Sequence, residues 1–164
     1  MNIDAMNTEK QKLEFTVRVI AKEISHLNHS KNKIFSTKFD MKRAESLSVD
    51  FELAESVEAF SARFARLQDT VGDKLLPLWL TEIGELEKTF IDNLNKAEKL
   101  EIISSPALWI RLRKLRNQMV HEYIEDLNIL VDALNTANEH VEYIENVAQT
   151  IIEDLTKRKL IDDN

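Results

Sequence analysis

The sequence predicts an all-α protein, folded as an up-and-down bundle of four or five long antiparallel helices. Only two Gly and two Pro occur among 164 residues, which leaves little material for hairpins and tight turns. Over long stretches the apolar residues recur at alternating steps of four and three, as they do on one face of an amphipathic helix. The length favours one domain over residues 1–164.

The amino-terminal half contains two long helical patterns separated by a polar stretch. The first helix is predicted from roughly Asn7 to His29, and the second begins near Ser48 or Asp50, either of which can cap a helix amino terminus. Pro77 is expected to kink or end the second helix. Residues 30–48 show no clean period and are predicted to form a basic irregular arm. Its basic residues are Lys31, Lys33, Lys38, Lys42 and Arg43.

Three further helices follow in the carboxy-terminal half. A short one is predicted to end near Leu100, and the next starts at Ser104-Ser105-Pro106, where a serine suits the cap and the proline suits the first turn. The run Glu125-Asp126 opens the last helix, whose apolar stripe continues for about eight turns. The short helix has the apolar stripe Leu86, Phe90, Leu94 and Ala97, and the one after it has Leu108, Leu112, Leu115 and Met119.

A cluster of basic and polar residues ends the penultimate helix. It reads Arg111-Leu-Arg113-Lys114-Leu-Arg116-Asn117-Gln-Met-Val-His121-Glu122-Tyr123, in a chain whose net charge is −7. A histidine can transfer protons near neutral pH, and an arginine can hold a phosphate. The cluster therefore indicates phosphodiester chemistry or phosphate binding, with Arg113 and Asn117 as supporting polar groups.

A helical wheel places His121 almost opposite the apolar stripe of its own helix, together with Arg113 and Asn117. Trp109 and Val120 also leave this stripe, so the outward face is predicted to be a partner surface, with Trp109 in the interface. A homodimer is the simplest partner, because a two-fold axis would bring together two copies of His121 and Arg116. Two histidines can act as base and acid in the attack of a ribose 2′-OH on its phosphate, and two arginines can stabilise the phosphorane.

The residues Arg116-Asn117-Gln-Met-Val-His121-Glu122-Tyr123 resemble the Arg-x4-His-x-Tyr signature of HEPN domains, and in particular of the HepT toxins of HEPN/MNT toxin–antitoxin systems. The resemblance implies a metal-independent endoribonuclease with a composite site at a homodimer interface. Arg116 and His121 would be its catalytic pair, and Tyr123 the residue that the cognate nucleotidyltransferase antitoxin modifies with AMP. A bulky anionic group there would exclude RNA.

Other interpretations stay open. Arg116 and Tyr123 could simply flank the core, and His121 could interact with the helix dipole. A non-catalytic bundle that binds the nucleotidyltransferase is the alternative function.

The chain has no Cys, and its histidines lack ligand spacing, so we expect no metal and no cofactor. No signal peptide or membrane-spanning run is visible, which predicts a cytoplasmic protein that does not contact membranes.

Overall fold

The computed structural model describes residues 3–121 and 126–163, apart from the side chain of Met6. Within these ranges the chain is helical and contains no β-strand, which confirms the all-α prediction. The helices are α1 (Ile3–Phe35), α2 (Met41–Ser46), α3 (Phe51–Asp69), α4 (Leu76–Glu82), α5 (Phe90–Lys99), α6 (Pro106–Val120) and α7 (Leu127–Lys157). A π-helical turn, Thr70–Leu75, joins α3 directly to α4.

Helix α1 runs antiparallel to the continuous rod formed by α3, the π-helical turn and α4. Phe35 packs on Phe60 with ring centroids 5.2 Å apart. Farther toward the start of α1, Arg63 donates to the hydroxyl of Ser30. Residue numbers therefore fall along one helix as they rise along the other. The hydrogen bond between Thr70 and Glu23 continues the same pairing.

Helices α6 and α7 complete the bundle. The indole of Trp109, near the start of α6, lies against Gly72, whereas Met119, near the end of α6, lines a cleft with Val57 of α3, so α6 is antiparallel to the rod. At the end of the bundle where α1 begins, Lys10 pairs with Asp162, which lies beyond the end of α7. The core between these four long units contains mostly Leu, Ile, Val and Phe.

Residues 30–48 do not form an irregular arm, and this prediction was wrong. Helix α1 continues to Phe35 because Ile34 extends its buried positions, and α2 forms a further turn and a half. Between them Phe39 is fully buried. The guanidinium of Arg43 donates to the carbonyl oxygens of Ile34 and Thr37, and so satisfies groups left free where α1 ends.

Pro77 neither ends nor breaks the second long helix. It occupies the first turn of α4, directly after the π-helical turn. There the amide of Leu76 donates to the carbonyl of Val71, five residues earlier. A proline inside a regular α-helix would clash with the carbonyl four residues before it, and we attribute its tolerance here to the wider turn.

The predicted helix starts are confirmed by side-chain caps. The hydroxyl of Ser105 accepts from the amide of Leu108 at 3.1 Å, and Asp50 and Asp126 cap α3 and α7 in the same manner. Helix α5 is shorter than its predicted stripe, because Leu86 precedes it and is half exposed. The amino-terminal cap of α5 is Thr89.

Candidate functional site

His121 stands at the carboxy-terminal end of α6. Its amide donates to the carbonyl of Asn117 at 2.9 Å, which closes the last turn of the helix, and its side chain is exposed. Val120 beside it is 40% exposed. The prediction that His121 faces away from the core of its own chain is confirmed.

Arg116 is exposed one and a half turns before His121 and lies between two clefts. The smaller cleft, of about 330 Å³, runs between α3 and α6 and is also lined by Asn117 and Asp69. The larger, of about 680 Å³, is bounded by α1, the rod and α6. Arg116 therefore reaches two open surfaces, and within residues 3–121 and 126–163 its side chain has no hydrogen bond or ion pair.

The structure does not join Arg116 to His121 within one chain. Residues five positions apart on a helix are separated by about 140° around the axis and about 7.5 Å along it. In the described part of the chain no hydrogen bond links the two side chains, and His121 makes no side-chain hydrogen bond at all. One copy therefore offers one arginine and one histidine, each open to solvent and each on its own side of the helix end.

Arg113 is held by neighbouring side chains. Its guanidinium donates to Asp73 at 3.1 Å, lies 3.9 Å from Asp69, and sits 4.8 Å from the ring centroid of Phe90. Burial raises the pKa of Asp73, and the positive charge of Arg113 opposes that rise. This geometry favours a role for Arg113 in joining α6 to the π-helical turn and α5.

Trp109 is not part of an outward interface, and that prediction was wrong. The indole is 2% exposed and packs on Tyr143 of α7, with ring centroids 6.4 Å apart. The buried positions of α6 are Trp109, Leu112, Leu115 and Met119, whereas Leu108 is only partly buried. The core face of α6 is therefore turned slightly from the predicted stripe.

Four acidic and three basic residues line the larger cleft, and the motif gave no indication of the acids. Its carboxylates come from α1, α3 and the π-helical turn, and its cations are Arg66, Lys74 and Arg116. The acidic members are Glu23, Glu58, Asp69 and Asp73. They lie far from the motif in sequence, so only the antiparallel packing of the helices brings them beside Arg116.

Glu23 is the most constrained of these carboxylates. Its Oε1 accepts from the hydroxyl of Thr70 at 3.0 Å, while its Oε2 is buried with no partner among the described residues. Burial raises the pKa of Glu23, and the Thr70 hydrogen bond and the charge of Arg66 only partly offset this. Ionisation of Glu23 is therefore less favourable at the inner wall of the cleft than it is for an exposed glutamate.

Tyr123, the predicted modification site, lies outside the described residues. Across residues 3–121 and 126–163 no group of three His, Asp or Glu side chains is arranged to hold a metal ion. None of the helices described is both long and apolar enough to cross a membrane.

Comparison of the chain with protein-family models, with curated proteins and with solved structures found no match.

Proposed function

We propose that this protein is a HepT-like endoribonuclease toxin that acts as a homodimer without a metal ion. The observation that carries the proposal is the state of Arg116 and His121. Both are exposed at the end of α6, and neither has a side-chain hydrogen bond or ion pair within the described residues. A cation and an imidazole that have no partners among the described residues can engage a phosphodiester.

In the proposed reaction the ribose 2′-OH attacks the adjacent phosphorus. His121 of one copy accepts the hydroxyl proton as the new oxygen–phosphorus bond forms. His121 of the second copy donates a proton to the 5′-oxygen as its bond to phosphorus breaks. The products are a 2′,3′-cyclic phosphate and a 5′-hydroxyl end. The two Arg116 guanidinium groups stabilise the charge of the phosphorane.

An exposed apolar surface near the end of α6 supports a dimer. Because α3 and α6 are antiparallel, the start of α3 and the end of α6 lie at the same end of the bundle. Val49 and Phe51 there are 77% and 73% exposed, and Val120 is 40% exposed. Where such side chains form one patch, they are typical of an interface with another protein. A second copy that covered them would bring its own His121 close to the first.

The proposed antitoxin is a nucleotidyltransferase of the MNT type, with Tyr123 as the acceptor of AMP. Tyr123 follows His121 by two residues, so an added nucleotide would place a phosphate and a large base beside the histidine. The phosphate would repel RNA, and the base would occupy its space.

The proposal is tested with purified protein and total RNA. We expect wild-type protein to give 2′,3′-cyclic phosphate ends, and His121→Ala and Arg116→Ala to reduce cleavage by on the order of 100-fold or more. Two matched controls are His140→Ala and Lys114→Ala. The His140 ring is hydrogen-bonded to the carbonyl of Thr136 in its own helix, and Lys114 is an exposed cation on α6. Undiminished cleavage by a folded, dimeric His121→Ala protein would exclude the catalytic assignment.

The four carboxylates of the larger cleft, which also contains three cations, favour a second candidate function, a bundle that binds the nucleotidyltransferase and cleaves nothing. The carboxylates beside Arg116 would repel an RNA strand placed in that cleft, but they would attract basic side chains of a protein. Growth arrest on expression of the chain alone supports the ribonuclease. Stable binding to the nucleotidyltransferase with no arrest and no cleavage supports the second function.

A further inference from the structure

The outer surface of α1 consists mainly of neutral and basic side chains, and the acids Glu14 and Glu23 are only partly exposed. Every exposed residue from Gln11 to Lys33 is neutral or basic, although the chain as a whole has a net charge of −7. Five of them form one row, which we call the α1 basic stripe. Its members are Arg18, Lys22, His26, His29 and Lys33.

The helical geometry of α1 aligns these side chains. Steps of four, four, three and four residues keep them within an arc of about 80° on the helix surface. From Arg18 to Lys33 the row extends about 22 Å along the axis. The buried positions of α1, such as Ile20 and Leu27, lie on the opposite side. The stripe is therefore a straight, solvent-facing ridge.

The cations of the stripe are not paired with acidic side chains in the described part of the chain, and Glu145 of α7, which borders α1, accepts instead from Asn28. Among the described residues no ion pair involves Arg18, Lys22 or Lys33. The two acids in this part of α1 point elsewhere: Glu14 lies 3.7 Å from Lys10, and Glu23 is turned toward Thr70. On the side facing α3 the flanking group is another cation. This is Arg63, which donates to the backbone carbonyl of His26.

An exposed aromatic ring lies at the amino-terminal end of the stripe. Phe15 is 61% exposed, and the guanidinium carbon of Arg18 is 6.0 Å from its ring centroid. The exposed ring is not part of the core, and it shares the arc of the basic residues. Proteins that bind single-stranded nucleic acids combine a row of cations for the phosphates with aromatic rings on which bases stack.

We propose that the α1 basic stripe binds single-stranded RNA, with a base stacked on Phe15 and the phosphates along Arg18, Lys22 and Lys33. The ring distinguishes this occupant from an acidic peptide, which would use the cations alone. The inference deepens the proposed function, since the strand held here would be the substrate of the ribonuclease. Binding is nevertheless a property of α1 and does not require His121.

The test measures anisotropy of a fluorescent single-stranded RNA oligonucleotide in the His121→Ala background, where the bound strand stays intact. We expect the combined change Arg18→Glu, Lys22→Glu and Lys33→Glu to weaken RNA binding at least tenfold. The logarithm of the association constant should also fall less steeply with the logarithm of the salt concentration, with a slope smaller in magnitude by about two to three. The matched control is Lys88→Glu, Lys99→Glu and Lys157→Glu, which alters the net charge equally at exposed sites elsewhere. It should weaken binding far less.

A second variant tests the aromatic contribution. Phe15→Ala should weaken binding on the order of tenfold, and Phe15→Trp should retain it, because stacking needs an aromatic face. Equal losses in the two triple variants would overturn the proposal, as would displacement of the RNA by polyglutamate as effectively as by unlabelled RNA. RNA binding by the stripe in a protein whose wild type cuts nothing would exclude the ribonuclease while leaving the stripe established.

Discussion

Gly72 lies directly against the indole of Trp109, so closely that a methyl group on Gly72 would stand 2.8 Å from the indole nitrogen. Gly72 belongs to the π-helical turn, and Trp109 is the first buried residue of α6. The missing side chain therefore lets α6 approach the rod at the level where the cation of Arg113 meets Asp73. This contact fixes the height and rotation of α6, the helix that carries Arg116 and His121.

We expect Gly72→Ala to destabilise the fold by about 1–3 kcal/mol, as overpacking of a core does. Helix propensity alone would give the opposite sign, because alanine stabilises a helix interior by about 1 kcal/mol relative to glycine. Chemical denaturation of the variant decides between the two effects. An increase in the free energy of unfolding would show that Trp109 moves aside without cost.

The sequence located helices better than it located their contacts. Side-chain caps are local, so neighbouring residues narrowed each of these helix starts to one or two candidates, among which the structure selects Asp50, Ser105 and Asp126. The burial of Trp109 depends on the space left by Gly72, 37 positions earlier. The apolar periodicity within α6 cannot indicate a space on another helical segment. The prediction that Pro77 kinks or ends its helix failed for a similar reason. The π-helical turn that precedes Pro77 depends on packing as well as on local propensity.

The same distinction applies to the candidate site. The motif pointed to Arg116 and His121, and the period of the helix correctly predicted that His121 is exposed. It could not show that Arg113 is paired with Asp73, because that acid lies on another helical segment. The extension of α1 was missed because Ser30 is polar, yet Ser30 is buried as the acceptor of a hydrogen bond from Arg63.

Arg113 and Arg116 should separate stability from catalysis. We expect Arg113→Ala to lower the free energy of unfolding by about 1 kcal/mol, from a half-exposed ion pair and a cation–π contact, and to leave most of the RNA cleavage. Arg116→Ala should change stability little and remove cleavage. Denaturation curves and cleavage assays on the same preparations test both statements. Equal losses of cleavage in the two variants would contradict the assignment of roles.

Asp154 should stabilise the bundle through its negative charge. Burial opposes ionisation of Asp154, but hydrogen bonds at 2.7 Å from the indole of Trp79 and the guanidinium of Arg158 outweigh it, and the pKa is lowered. A lowered carboxyl pKa contributes stability above its ordinary value, and the contribution disappears as the pH falls through the lowered pKa.

We therefore expect Asp154→Asn to cost about 1 kcal/mol near neutral pH, with the difference from wild type vanishing in strong acid. Trp79→Phe removes one of the two donors and provides the matched partner variant. A double-mutant cycle between these positions should give a positive coupling at neutral pH. A cost that stayed constant from neutral to acid pH would indicate that packing, rather than charge, stabilises this contact.

Glu23 should show the opposite pH dependence. Its pKa is raised chiefly by burial, so the folded protein holds the proton more firmly than the unfolded chain does. Ionisation of Glu23 therefore costs stability, and the cost grows as the pH rises from the ordinary glutamate pKa through the raised one.

In Glu23→Gln the amide oxygen can still accept from Thr70, and no charge forms. We expect this variant to gain stability relative to wild type as the pH rises through that window, and to show no such gain in acid. Thermal unfolding over a pH series measures the difference, with Glu52→Gln, at an exposed position of α3, as the control. A stability difference between Glu23→Gln and wild type that did not change with pH would show that ionisation of Glu23 costs the folded protein nothing.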